Sequence, residues 1–552
     1  MTTPLYGAAP TTLLSATPIP AQTPSARPAL PPTVARATLL SAALLGVTAD
    51  ALMHDGPSGV GLVLWIALLA LNAVVLCHRT GRDVSRQTLA WLAAAVVFSL
   101  GLTWRNSGTL QGFDFLAMLF ALGMAAVSVR DPEAALFARR LRHTVFTAFD
   151  VGVSTLVGVL PLAFRDAVLN ETSKNAIGRV RAFVRPTFIA VAALVIFGSL
   201  LRNADPIFAS LIDLSAFDLE TVGSHVIVAG FFAWVVAGWA RGTLAEHPTT
   251  HRSLAPLPIQ LDAADITAGL GTLGILFAAF IATQIGWMFG GEKFLQARTG
   301  LTAAAYARQG FFQMVWVVTL VVPILVGSRA ALGPGRPLAR RHTLLSLPVV
   351  ALLGAIIVSA LLRMKMYVHY YGLTTERVYP TVFMLWLATV IVWLTVTVLR
   401  DWPRPFIGGA VISGLAFLIG LNIADPDAIV ARVNVARAQR IDSATQSTLD
   451  LTHLTTLSGK GTSIAVDAIL HADVSSSVAT MPNTPAAQRC LAAKSLLSRW
   501  NPQSAARRRT IGAGGWRYWN HDDAIAFAAV DAHRADLQRF ANEGCAPLQP
   551  AH

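Results

Sequence analysis

Charge is what this chain lacks most. Asp, Glu, Lys and Arg make up 13% of its 552 residues, against about 25% in an average soluble domain. That deficit speaks against a water-solvated globule. Cysteine is scarce as well: Cys77, Cys490 and Cys545 are the only three, with no Cys-x-x-Cys pair among them, which argues against a zinc ribbon or a thioredoxin-like site. His-Glu-x-x-His and Gly-x-Ser-x-Gly do not occur. The stretch 459–463 has a lysine between two glycines but lacks phosphate-loop spacing. In His521-Asp522-Asp523, helix capping is the simpler reading than metal binding. No cofactor and no metal are expected. The formal net charge is +13, but the arginines sit in short loops between apolar runs. The excess therefore fits cations held on the cytoplasmic side of a membrane, not a nucleic-acid partner.

Apolar residues, by contrast, make up 54% of the chain. They gather in continuous runs near 37–53, 58–77, 88–104, 112–129, 187–202, 222–240, 266–289, 310–328, 343–362, 380–399 and 405–422. Each is about long enough to cross a bilayer as a helix. Backbone in hydrocarbon must satisfy its own hydrogen bonds, and runs without strict alternation select helices over a barrel. The expected fold is an all-α polytopic membrane bundle of about 11 spans, possibly 12, with a small, mostly helical extramembrane C-terminal domain. Three regions follow: a Pro/Thr/Ala-rich disordered tail over 1–33, the membrane domain over 34–422 and the C-terminal domain over 423–552.

The twelfth run, 145–164, contains Gly152, Gly158, Pro161 and Asp150. If it does not cross, 20 Lys and Arg fall in loops on one side and 8 on the other; if it crosses, the division is 14 against 14. The positive-inside rule favours the first arrangement. The segment then lies on the cytoplasmic surface or re-enters, the N-terminus is cytoplasmic and the C-terminal domain lies outside a plasma membrane. Cys490 and Cys545 both belong to that domain, where an oxidising exterior would let them pair. Cys77, at a span end, reads as packing. In the C-terminal domain, Asp425-Pro426 reads as a helix start, with further helices near 485–500 and 521–541. Trp516 and Trp519 read as anchors packed on the domain or the membrane surface.

Three loop segments carry most of the remaining chemistry. Asp205-Pro206 opens an element after a span, as a cap or as a cation-binding carboxylate. Gln284, buried in an apolar run, needs a partner inside the bundle; Gly290, Gly291 and Glu292 follow, and Tyr306 and Arg308 open the next span. The segment 363–379 holds Arg363, Tyr367, Tyr371, Gly372, Thr374 and Arg377. Gly372 is expected to end one helix and Thr374 to cap the next. An interfacial belt of tyrosines and snorkelling arginines accounts for this segment, and so does an anion or lipid-headgroup site. Pairs of spans separate the three segments, so all lie on one side, with the C-terminal domain. The candidate outer-face site is therefore Asp205, Gln284, Glu292, Arg308, Arg363, Tyr367, Tyr371 and Arg377.

In these residues, and in 422–437 and 449–454, the chain resembles a bacterial membrane-protein family known as domain of unknown function 4173. The resemblance covers roughly 190–470. It departs near Leu457-Ser458, where residues 459–466 intervene before Asp467-Ala468. It implies a multi-pass protein with an extracytoplasmic tail and no established activity. The leading functional reading is a non-enzymatic envelope protein that binds a lipid, a cell-wall component or a protein partner, with anionic headgroups and the bilayer as its surroundings. A transporter or flippase of an anionic or lipid-linked substrate is the alternative. A membrane-embedded transferase with Asp205 or Glu292 as base is a third.

Overall fold

A computed structural model describes residues 30–56, 59–130, 141–167, 219–244, 260–299, 311–332, 336–402, 405–440, 449–471, 485–501, 503 and 515–543. The expectations at 1–29, at the span 187–202 and at Asp205, Arg308 and Cys545 lie outside these residues, as does the side chain of Glu292. The described chain is helical. Its membrane part comprises α1 (Pro32–Met53), α2 (Val60–Arg79), α3 (Arg86–Trp104), α4 (Gly108–Arg130), α5 (Leu141–Val157) and α6 (Leu219–Leu244). There follow α7 (Ala263–Thr299), α8 (Phe311–Ala330), α9 (Arg336–Tyr371), α10 (Thr375–Thr397) and α11 (Phe406–Ala424). Ten of these, all but α5, are long and apolar enough to cross a bilayer.

Local signals set the helix ends. The Ser85 hydroxyl accepts from Thr88 N at 3.1 Å and starts α3. Thr80 closes α2 by donating to the Leu76 and Cys77 carbonyls. Gly372, at φ +78°, ends α9 as expected. Thr374 occupies the N-cap of α10, but its side chain makes no cap hydrogen bond.

Two apolar cores result. One joins α1–α4 and α6 around Trp65, Ile66 and Phe98. The other joins α7–α10 around Val318, Leu353 and Met384. Ile407 of α11 packs against both. Large side chains such as Leu40, Ile227 and Ile275 point outward, 65%, 71% and 75% exposed. That is the surface of a protein solvated by hydrocarbon.

The run 145–164 turns back on itself instead of running the length of the bundle. Asp150 of α5 pairs with Arg130 at the end of α4. The helix then advances along α6, and Trp234 Nε1 reaches the Leu156 carbonyl at 2.8 Å. It turns at Gly158 and comes back through Val159–Pro161 and a π-helical turn, Leu162–Asp166. Asp166 meets Arg241 Nε at 2.8 Å, and the Ala167 carbonyl meets Arg36. Arg130, Arg241 and Arg36 all stand at one face of the bundle, so both limbs of the hairpin open there. The depth reached, from Arg241 to Trp234, is seven residues of α6, or about 10 Å at helical rise. Small residues permit the contact: a Cβ on Gly238 would lie 2.1 Å from the Thr155 carbonyl.

Beyond α11 the chain builds a separate helical cap on the opposite face. Its helices are α12 (Pro426–Arg440), α13 (Leu451–Leu454), α14 (Lys460–Leu470), α15 (Pro485–Arg499), α16 (His521–Ala532) and α17 (Arg534–Glu543). They enclose a core that includes Leu454, Ile469, Leu496 and Phe527, with Trp500 edge-on to Phe527 at 5.0 Å. Asp425 caps α12 through Ala428 N at 3.1 Å. The helix expected over 521–541 breaks at His533, between α16 and α17. Cys490 is buried and disulfide-bonded, whereas Cys77 is buried and free.

Candidate functional site

The face that carries the cap is where the polar chemistry collects. Arg363 lies on α9 and Gln284 on α7, both nearly buried. The Arg363 guanidinium donates to Gln284 Oε1, which also lies 3.4 Å from Ser359 Oγ. A cation and an amide inside a bundle each need such partners. Tyr367 and Tyr371 follow Arg363 at four-residue spacing on the same helix face. Their rings meet edge-on at 4.9 Å, and the Arg377 guanidinium stands 4.2 Å from the Tyr367 ring centre. Arg377 also donates to the Tyr371 and Gly372 carbonyls.

The cap grips this corner. Asn434 of α12 accepts from Leu373 N and donates to Leu373 O, both at 2.7 Å, and Arg437 donates to the His369 carbonyl. A Cβ on Gly372 would sit 2.8 Å from Asn434 Oδ1. The structure thus joins Gln284 with Arg363, and Tyr367 and Tyr371 with Arg377. Part of the second group serves to dock the cap.

A polar group not expected from sequence lies where α3, α4 and α11 meet the cap. Arg105, Asp425 and Asp522 are all buried, at 4%, 5% and 1% exposure. Arg105 Nη1 meets Asp425 Oδ2 at 2.7 Å and Asp522 Oδ1 at 3.2 Å, while Nε and Nη2 donate to the Asn422 carbonyl. Asn106 N donates to Asp522 Oδ2, and the Asn106 amide donates to Asp523. Asn520, the N-cap of α16, donates to the Leu102 and Arg105 carbonyls. Burial, with Asp425 adding to it, pushes the Asp522 carboxyl up to about 6, although Arg105 pulls the other way. Just below, Asn422 Nδ2 donates to Asp114 Oδ1 at 2.9 Å. Asp114 is fully buried in α4, and its Oδ2 has no hydrogen-bond partner among the described residues.

The turn Gly515–Tyr518 fastens the cap to α1 and α2. Arg517 donates to the Ala51 carbonyl, and Tyr518 Oη accepts from Asp55 N. Gly59, at φ +101°, would place a Cβ 2.6 Å from the Tyr518 backbone. The anchors are therefore Arg517 and Tyr518. Trp516 and Trp519 stay 52% and 40% exposed on this face, and the Trp519 ring lies 6.0 Å from that of His521 at the start of α16.

A cavity of about 1140 Å³ opens between α2, α4, α5 and α6. Among its described lining residues only Trp65, Gln111, Thr155 and Trp239 carry polar side-chain atoms, and Trp65 Nε1 is taken up by the Leu45 carbonyl; Ile66, Phe115, Met118 and Phe232 are typical of the rest. Along α4 it runs from Gln111 to Gly123, about 18 Å at helical rise. Phe115, Phe149 and Phe231, at 46%, 70% and 61% exposure, form a rim that faces outward. Gly112, Gly123 and Gly152 line it, and a Cβ on any of them would meet nothing within 4 Å.

Fold and surface define a polytopic helical membrane protein with a docked helical cap. The chain belongs to the family described as Domain of unknown function (DUF4153), whose model matches residues 92–468. This corrects the resemblance to domain of unknown function 4173. Among the described residues that carried that resemblance, 371–377 form the turn between two helices, where capping and turn chemistry narrow the choice in any bundle. The match also takes in residues 92–190, which the resemblance did not use. No curated protein and no solved structure matches the chain.

Proposed function

We propose that this protein binds a membrane lipid by its acyl chains, without transforming it, in the cavity between α2, α4, α5 and α6. The observation that carries this reading is the cavity itself: elongated, apolar over most of its wall, and rimmed by aromatic side chains at bilayer depth. Water does not fill a space so lined, and its volume lies just above the usual 300–1,000 Å³ for ligand sites. The lipid headgroup lies toward the cap, where Gln111 stands at the mouth. The test is native mass spectrometry on the chain purified in mild detergent, beside Gly123→Phe and Gly152→Phe. The wild type retains lipid, and the variants lose most of it, about tenfold, at unchanged melting temperature. Equal lipid occupancy in all three overturns the reading.

Asp114 supports a second reading, transport of the lipid between leaflets, because an ionisable group inside a span is costly unless it works. Movement of fluorescent lipid in proteoliposomes, lost in Asp114→Asn, would select it.

We propose that the cap, residues 423–552, lies outside the plasma membrane and the N-terminus in the cytoplasm. The 20-to-8 division of loop cations supports this, as does a disulfide at Cys490, since cytosol keeps thiols reduced. Its partner is proposed to be Cys545. A reporter fused after His552 that is active only in the cytoplasm would reverse the orientation. Rapid alkylation of Cys490 without reductant would remove the pairing.

A further inference from the structure

Two histidines and an aspartate converge where α1 ends and α6 begins, on the cap face and outside the apolar cavity. Asp50 and His54 stand one turn apart on α1, and His225 faces them from α6. His54 Nδ1 lies 2.8 Å from Asp50 Oδ1, and His225 Nδ1 lies 2.7 Å from Asp50 Oδ2. The two imidazoles stack, with centroids 3.8 Å apart. The three ligand atoms all fall within 4.8 Å of one another.

We propose that Asp50, His54 and His225 bind a divalent transition ion of the zinc class. Imidazole and carboxylate are the donors such ions take, and three protein ligands with one open position is a common arrangement. In the ion-free protein each imidazole N–H is satisfied by one carboxylate oxygen. An incoming ion takes the two Nδ1 lone pairs and one Asp50 oxygen, and each ring carries its proton on Nε2 instead. For His54 that nitrogen lies 3.4 Å from Ser224 Oγ, an outer partner able to hold the ring in the metal-binding tautomer. Small movements of the side chains bring the ligand atoms from this spacing to the shorter one around a bound ion.

The surroundings suit a bound ion. The two helices are pressed together below the cluster, where a Cβ on Gly46 would lie 2.3 Å from the Ala229 carbonyl. This fixes His225 opposite Asp50. The His225 side chain is 46% exposed, so a hydrated ion can arrive from the aqueous side. The cap turn bonds to Ala51 and Asp55 on the same helix end. An ion here would tie α1 to α6 beside the point where the cap is fastened.

The test uses the tag-free full chain in detergent, with Zn2+ alone as the probe, followed by calorimetry and X-ray absorption. We expect one tight site per chain, with nitrogen and oxygen neighbours at about 2.0–2.1 Å. His225→Ala, at a half-exposed position, should weaken binding at least a hundredfold while the melting temperature of the ion-free protein stays the same. Asp50→Asn, which keeps the shape of the side chain, should weaken it about tenfold or more. A wild-type chain with no stoichiometric site overturns the proposal. So does tight binding that persists in His225→Ala, because another of the 13 histidines would then be the ligand.

Discussion

Arg105 illustrates what one buried cation can hold together. Its guanidinium faces two carboxylates and a carbonyl, from the end of α11 and the start of α16. Removing it leaves Asp425 and Asp522 buried against each other. Breaking such a group by deleting one partner costs about 3–5 kcal/mol. Arg105→Ala is therefore expected to release the cap, read as fast proteolytic cleavage within 426–543 while α1–α4 stay protected. Asp522 adds a pH dependence. Its carboxyl titrates near 6 in the docked cap, against about 3.9 when free. A raised acid pKa means the docked state binds the proton more tightly, so docking is strongest below about pH 4 and weakens as pH rises to 6. Thermal melts from pH 4 to 7 should show this slope, and Asp522→Asn should flatten it. Neither role was visible in the chain, where Arg105 reads as one loop cation and Asp522 as a first-turn acid.

At the scale of elements, the hairpin of α5 is the most informative. Its glycines, Pro161 and Asp150 mark it in the sequence as unfit to cross, and the loop-charge division agrees. What the sequence withheld is its path: antiparallel to α6, about two helical turns deep, returning to Arg241. Cysteines placed at Asp83 and Ala167 should react with an impermeant maleimide from the same side, and one at Gly108 from the other. Labelling of Ala167→Cys together with Gly108→Cys would mean that the segment crosses. Gly238→Leu should dislodge the hairpin, since no side chain fits against the Thr155 carbonyl. The expected readout is loss of lipid from the cavity that α5 helps to wall.

Over the whole molecule, the described residues form two apolar cores and a cap core. Ile407 bridges the membrane halves, and Arg105, Asn434 and Tyr518 fix the cap. Spans were legible because hydrocarbon requires long, uninterrupted apolar helices, and ten of the expected runs are helices of that kind. Of the candidate outer-face residues, Tyr367 and Tyr371 with Arg377 could be placed together, since helical spacing and a shared loop bring them near, whereas the pairing of Gln284 with Arg363, 79 residues away on another helix, could not. The cluster of Asp50, His54 and His225 could not, because about 170 residues separate its last member from the first two. Composition and periodicity alone settled the solvent, the secondary structure and the spans, since each depends on interactions local to a stretch of chain. Which buried charges meet, where the cavity opens and what the cap touches depended on helices distant in sequence packing side by side, and only the tertiary structure decided them.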